Sequence, residues 1–156
     1  MRGIFLYLCR TFVSHSVFRL FAVFTYRYFL YRFPELCILA VPDDHDTDAS
    51  PIGCVVAKID TEEVLVDDRT ETVMTGYIGM LAVSKDYRRR GIGRLLVQKV
   101  IQRMKDMGCS SITLETEVTN TTAQRLYQDL FGFVREELLV RYYLNWNDAY
   151  RLRLWF

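Results

Sequence analysis

The sequence predicts a single α/β domain built on a mixed β-sheet, and three observations predict it. The chain has 156 residues, 51% hydrophobic and 25% charged, which suits one packed core and excludes a disordered or collagen-like polymer. Its centre alternates apolar, β-branched runs with amphipathic helical stretches, the order that yields a parallel strand pair. Strands on either side of that centre have no helix between them and can pair antiparallel, so the sheet is mixed.

The N-terminal stretch, residues 3–33, is rich in Phe, Leu, Val and Tyr, but Arg10, Arg19, Arg27 and Arg32 interrupt it. The longest uncharged run there, residues 11–18, is far shorter than the roughly 20 residues a spanning helix needs. No clean apolar core leads to a small-residue cleavage site, so a secretory signal fits poorly. An acid-free, Arg-bearing start is compatible with a mitochondrial presequence. The simpler reading is an amphipathic core helix over residues 17–31, ending before Pro34.

Residues 35–41 then read as a short buried strand. Residues 42–51 (PDDHDTDASP) read as an acidic surface loop. Residues 52–60 are a second strand, 61–74 a polar loop with ragged strand ends, and 75–83 (TGYIGMLAV) a third strand. A helix follows, its apolar face predicted from Ile92, Leu95, Leu96, Val100, Met104 and Met107, with Gly108 closing it in a left-handed cap. Residues 111–117 (SITLETE) are a strand, and 121–130 a second amphipathic helix carrying Ala123, Leu126, Tyr127 and Leu130 on one side. Residues 133–143 and 148–155 form two closing strands joined at Asn145-Trp146-Asn147.

Charge narrows the function. Twenty Lys and Arg against nineteen Asp and Glu leave a net +1, so no global field demands nucleic acid or a membrane surface. The charge is nonetheless segregated: residues 35–75 hold eleven acids and two bases, residues 76–107 eight bases and two acids. The four cysteines, Cys9, Cys37, Cys54 and Cys109, form no CxxC pair and have no nearby His. No metal site is therefore readable, and reduced, buried thiols in the cytoplasm are expected.

The basic block contains the most informative motif. Arg88, Arg89, Arg90, Gly91, Ile92 and Gly93 lie between a strand and a helix. The glycines let a ligand approach the backbone, the helix start offers free N–H groups and partial positive charge, and the arginines add charge and paired donors. This is an anion cradle suited to a pyrophosphate. It is neither a dinucleotide fingerprint nor a P-loop, because Leu96 stands three residues after Gly93 and no Gly-Lys-Ser/Thr follows. A solvated basic turn is the plain alternative. A nucleic-acid patch is another, although only Tyr87 supplies an aromatic nearby.

Glu115 is the candidate base. Ile112 and Leu114 point to one face of their strand, and Thr113, Glu115 and Glu117 to the other. A carboxylate on a central strand suggests a cleft, and a base there would suit general acid–base chemistry. The residues alone leave this and a solvated strand end equally open. Tyr127 lies on the apolar face of its helix, the usual place of a core tyrosine, and Asn120 is placed to cap that helix.

Arg88-x-x-Gly91-x-Gly93 after an apolar strand resembles motif A of the GNAT N-acetyltransferases. YIGMLAVSKDYRRRGIG, LETEVTN, RLY and VRYYLN, in that order, and FTYRYF with PELCILAV near the start, resemble the N-terminal acetyltransferases of the NatC type. The likeness covers residues 24–156, the expected N-acetyltransferase domain, with 1–23 as an atypical N-terminal segment. It implies a GNAT fold whose sheet is flanked by helices, with an atypical or truncated N-terminal lobe, since the family places a strand and two helices before FTYRYF. It also implies acetyl-CoA as co-substrate and no metal. The pyrophosphate would lie on Arg88–Gly93 and the pantetheine along Leu81, Ala82 and Val83, with Asn120 also contacting it.

By the same resemblance Glu115 is preferred over Glu117 as base, and Tyr127 serves the departing thiolate. Tyr142 and Tyr143 would hold the substrate backbone and Tyr77 would wall the pocket. The implied reaction is direct transfer in a ternary complex to the α-amino group of nascent or free protein N-termini that begin with Met and a hydrophobic residue. NatC auxiliary subunits, and the ribosome through them, are the implied partners, with no nucleic acid and no membrane span. The alternatives are a lysine or small-amine acetyltransferase, and a catalytically impaired CoA-binding or interaction module. The spacing from Tyr127 to Gly132 is one residue longer than the family's, which would rotate the helix exit or loosen its cap.

Overall fold

Proline and paired aspartates set the limits of the first strands. The computed structural model describes residues 27–42 and 50–156. The expected helix over 17–31 is described only from residue 27, where residues 27–32 are helical and bury Phe29 and Leu30. Its earlier part, Cys9 and residues 43–49 of the acidic loop lie outside the described residues. Pro34 fixes its own φ and opens a 3₁₀ turn, Pro34–Leu36, so the strand expected from residue 35 is shortened to β1, Cys37–Ala40.

β2 (Gly53–Val66) and β3 (Arg69–Val83) run far beyond their expected ends. Residues 61–74, read above as a loop, are mostly an exposed two-stranded ribbon. The turn between them is only two residues: Asp67 and Asp68 both take positive φ, 47° and 61°, as the tightest hairpin turn requires. The polar composition of 61–74 reflects exposure of the ribbon rather than lack of structure.

The described residues divide into two compact units: those up to residue 58 with 80–103, and residues 59–79 with 104–156. In the first unit β1 pairs antiparallel with β2, Cys37 opposite Val56 and Ala40 opposite Gly53. Helix α1 (Ile92–Asp106) buries Leu96, Val97, Val100 and Ile101. Its face is rotated from the expected one, leaving Leu95 55% exposed, with Val97 and Ile101 turned inward instead. A Cβ on Gly53 would come within 3.1–3.3 Å of the Ala82 carbonyl, Ile92 and Leu96, so glycine permits close helix–strand contact there.

In the second unit β3 pairs parallel with β4 (Ser111–Glu117), Thr75 opposite Ser111 and Tyr77 opposite Thr113. Gly76 is pressed by Met104 and, at 3.1 Å from a built Cβ, by Ile112. The glycine in this strand thus marks close packing of the protein on itself. Met107, expected on the inner face, is 43% exposed. Gly108, at φ +88°, ends α1 as expected. β6 (Ala149–Trp155) pairs antiparallel with β4 over its whole length, and β5 (Val134–Leu139) pairs with β6. The closing strands are shorter than expected because residues 140–148 form a turn-rich loop. The sheet order is β1-β2-β3-β4-β6-β5, mixed as predicted.

The second helix, α2, is α-helical only over Thr121–Gln124 and continues as a π-helix over Arg125–Leu130. Leu130, predicted inward, is exposed. Its exit is widened by one residue: Phe133 N–H donates to the Tyr127 carbonyl and Gly132 N–H, at φ +75°, to the Gln128 carbonyl. In the usual helix-ending motif each of these bonds spans one residue fewer. The extra residue before Gly132 is absorbed in the π turn, and Phe133 still packs edge-on against Tyr127 at 5.5 Å.

Candidate active site

Strand pairing in the second unit brings a carboxylate among tyrosines. Glu115 lies directly opposite Arg151 in the β4–β6 register, and Arg151 Nε donates to Glu115 Oε1 at 3.1 Å. Tyr77, opposite Thr113 on the other side of β4, donates its hydroxyl to Glu115 Oε2 at 2.7 Å. The carboxylate is 8% exposed. Tyr142 also hydrogen-bonds to this carboxylate, so with three partners about one of the four lone-pair sites remains for a further donor. Arg151 Nη1 also donates to Glu137 at 2.8 Å, and its guanidinium is held above its ordinary range, first by the hydrogen bond to Glu115.

The tyrosines close around this pair. Tyr142 shares a hydrogen bond with Tyr77 and stacks edge-on with Tyr143 at 5.2 Å. Burial first, then Glu115, pushes the Tyr77 phenol far up. Burial and then Glu115 raise Tyr142 as well. Burial, followed by Tyr142, Glu115 and Glu117, pushes Tyr143 up to about 12. Tyr127 is buried, and burial followed by Tyr143 raises its phenol too. All four therefore remain protonated donors through neutral and mildly alkaline pH. Sequence reasoning singled out the four tyrosines and Glu115 but missed Arg151. The alternating charges of YRLRLW are its only sequence signal, and they do not reveal the register.

Asn120 caps α2 as expected, its Oδ1 accepting from Ala123 N–H at 3.1 Å. Glu117 points at the loop instead: its Oε1 accepts from Asn145 and Asn147.

The basic turn belongs to the first unit. Arg89 and Gly91 have φ of 64° and 80°, and a Cβ built on Gly91 meets nothing within 4 Å. Glycine at 91 is thus favoured by backbone conformation, with open space beside it. Leu95 N–H bonds back to the Gly91 carbonyl, leaving the amides of Ile92, Gly93 and Arg94 as the free N–H groups of the helix start. Arg88 Nε ties the turn to the Val83 carbonyl at 3.1 Å, and Arg90 stacks over Tyr87 at 5.0 Å. Beside the turn opens a groove of about 690 Å³, with Arg90, Arg94, Lys99 and Arg103 on its wall. The same groove is lined by the apolar Ile38, Leu39, Ile52 and Leu96, so cations and an apolar floor lie side by side. Leu81, Ala82 and Val83 close β3 just before it.

Cys37 and Cys54 are buried, and burial pushes their thiols up to about 11 and about 12. Cys109 is raised by burial as well. None is an activated nucleophile. Among the described residues no cluster of His, Cys, Asp and Glu could hold a metal ion, and no helix is long and apolar enough to cross a membrane.

Residues 6–133 match the Acetyltransferase (GNAT) family. The Saccharomyces cerevisiae protein named N-alpha-acetyltransferase 30 is 42% identical over 134 residues, covering 86% of this chain and 72% of that protein. The Homo sapiens protein of the same name is 44% identical over 135 residues, 86% of this chain and 34% of its own length. The chain spans less than half the length of the first curated relatives it matches. Among solved structures, one chain of the NatC complex bound to Gag peptide and CoA is 38% identical, with a TM-score of 0.81, covering 99% of this chain and 89% of that one.

Proposed function

Because the chain belongs to the Acetyltransferase (GNAT) family, we propose that it transfers acetyl from acetyl-CoA to the α-amino group of proteins whose N-termini begin with Met and a hydrophobic residue. The observation that carries the reading is the Tyr77–Glu115–Arg151 array within a cluster of protonated tyrosines. The relatives named N-alpha-acetyltransferase 30 support the α-amino acceptor, and the preference for Met and a hydrophobic residue follows from the NatC-type resemblance alone.

An α-amine has a pKa near 8 and is mostly protonated at neutral pH, so it must lose a proton before it attacks a thioester. Glu115 supplies the acceptor, directly or through one water, because it keeps about one unused lone-pair site while Tyr77, Arg151 and Tyr142 fix its position. Tyr127, protonated over the whole working range, donates a hydrogen bond to the departing thiolate. Full proton transfer is unnecessary, since a thiol is the stronger acid. Tyr142 and Tyr143 hold the peptide backbone, and Tyr77 walls the pocket.

Acetyl-CoA is a co-substrate, and the first unit suits it. The free amides of Ile92, Gly93 and Arg94, the open side of Gly91 and the charges of Arg89 and Arg90 fit a diphosphate. Leu81, Ala82 and Val83 lie past Tyr77, the last β3 residue paired with β4 among the described residues, and offer backbone to the pantetheine. Asn120 serves as helix cap and pantetheine contact together. With every described thiol buried and high, direct transfer in a ternary complex is the economical route. Auxiliary subunits, and a ribosome reached through them, complete the reading in the cytoplasm.

The deciding experiment is an acetylation assay on a peptide panel, with the chain alone and with candidate auxiliary subunits. Met-Leu and Met-Phe peptides are expected to turn over and N-terminally blocked, lysine-bearing peptides to be inert. Acetylation of the blocked peptides would overturn the N-terminal reading in favour of a lysine enzyme. Binding of acetyl-CoA with no turnover of any peptide would favour a silent module. Tyr127→Phe keeps the ring against Phe133 and removes only the hydroxyl. It is expected to slow turnover by roughly tenfold or more, at the scale of one hydrogen bond to a charged group, with the melting temperature nearly unchanged. Wild-type turnover would return Tyr127 to the core.

A further inference from the structure

The loop between β5 and β6 carries Tyr142 and Tyr143, and its geometry is held from outside. Glu117 Oε1, at the end of β4, accepts from Asn145 Nδ2 at 2.9 Å and from Asn147 Nδ2 at 2.6 Å. Within the loop Tyr143 N–H donates to the Asn147 carbonyl, and Trp146 N–H to the Tyr143 carbonyl. Arg141 N–H donates to Asp148 Oδ1 at 2.7 Å. Arg141 and Trp146 have φ of 53° and 65°, a left-handed conformation that costs a non-glycine residue energy and persists only where surrounding contacts enforce it.

We propose that Glu117 is a positioning residue for the peptide site: its carboxylate clamps Asn145 and Asn147 and thereby fixes Tyr142 and Tyr143 against Glu115. The two acids of LETE thus divide the labour, Glu115 facing the reacting amine and Glu117 setting the wall that holds the peptide. The clamp rests on the proposal that these tyrosines bind peptide. Two amide donors converge on one oxygen, an arrangement that a carboxylate satisfies with charge-assisted bonds and that no apolar residue satisfies. Asn147 and then Asn145 hold the Glu117 carboxyl below its ordinary value. The charge-assisted part of the clamp is therefore intact above the ordinary carboxylate range and fades only as pH falls through the lowered value, below which the neutral carboxyl still offers one oxygen to both amides.

The test measures KM for a Met-Leu peptide, KM for acetyl-CoA and kcat in Glu117→Ala, Asn147→Ala and the double variant, with Glu117→Gln as the conservative control. Glu117→Ala is expected to raise peptide KM about tenfold, the scale of losing charge-assisted hydrogen bonds, with kcat and the acetyl-CoA KM unmoved. The double variant is expected to be no worse than Glu117→Ala alone, because Asn147 has already lost its partner there, and Asn147→Ala, which keeps the Asn145 bond, is expected to be milder than either. Glu117→Gln is expected to rescue, since one amide oxygen can accept both donors. Hydrogen exchange at the Tyr143 and Trp146 amides is expected to quicken in Glu117→Ala and not in Glu117→Gln. Tyr142→Ala and Tyr143→Ala separate the two readings. If they raise peptide KM and Glu117→Ala does not, the clamp is overturned alone. If they too leave KM unmoved, the peptide-site reading falls and the clamp with it. A loss of kcat at unchanged KM in Glu117→Ala would also overturn it, making Glu117 a rival base.

Discussion

Glu115→Gln is expected to lower kcat by about 10²–10⁴-fold, the range for losing a positioned general base, while acetyl-CoA affinity stays as in the wild type. The substitution is nearly isosteric, so β4 keeps its register against β6 and the buried Ile112 and Leu114 keep their places. What changes is the hydrogen-bond polarity. Glu115 accepts from Tyr77 on one oxygen and from Arg151 on the other. A glutamine can accept one of these donors, but it turns its own N–H₂ towards the other. The second donor loses its acceptor, and the incoming amine loses the group that takes its proton. Single-turnover kinetics, paired with calorimetry of acetyl-CoA binding, would read both quantities. An unaltered pH–rate profile with wild-type turnover would dismiss Glu115 as the base and leave it a partner for Arg151.

That expectation depends on a geometry only partly legible in the sequence. The alternation of Ser111–Glu117 is a local property, so the face of β4 that carries Glu115 can be read from one strand alone. The same holds for the helix cap at Asn120 and the left-handed stop at Gly108, each fixed by its own few residues. Arg151 is different. It meets Glu115 because β6 pairs with β4 in one particular register, and register is a property of two strands distant in the chain.

The misreadings have related causes. The 61–74 ribbon looked like a loop because exposed strands tolerate Thr and Glu on both faces, and because its turn is Asp67-Asp68 rather than the Asn-Gly or Asp-Gly that advertises a hairpin. The buried face of α1 is shifted by a fraction of a turn, since Val97 and Ile101 fit a helical stripe as well as Leu95 and Met107 do; tertiary packing decides between them. The second helix failed a fixed 3.6-residue template because one extra residue is wound into a π turn. That insertion spares Tyr127 and Phe133 and displaces Leu130 outward.

The Arg88–Gly93 turn was legible as a motif, and the diphosphate contact proposed for it carries the other large effect. Gly91→Glu is expected to weaken acetyl-CoA binding by about 10²–10³-fold. Two like charges about 4 Å apart at a protein surface repel by roughly 4 kcal/mol in the limit of weak screening, and added salt should recover part of the loss. Two costs must be told apart. Gly91 sits at φ +80°, so any side chain there carries a conformational penalty of about 1–2 kcal/mol, which the melting temperature registers. Gly91→Ala bears the same penalty, and its methyl enters open space, since nothing lies within 4 Å of that position. Alanine should therefore lower stability and, with its methyl on the side proposed for the diphosphate, weaken affinity modestly and independently of salt, whereas glutamate should weaken affinity much more and in a salt-dependent way. Calorimetric titration of CoA into the two variants, at low and high salt, distinguishes charge from strain. If both variants bind CoA as tightly as the wild type, the diphosphate does not rest on this turn, and the basic residues Arg88, Arg89 and Arg90 serve only to solvate and brace it.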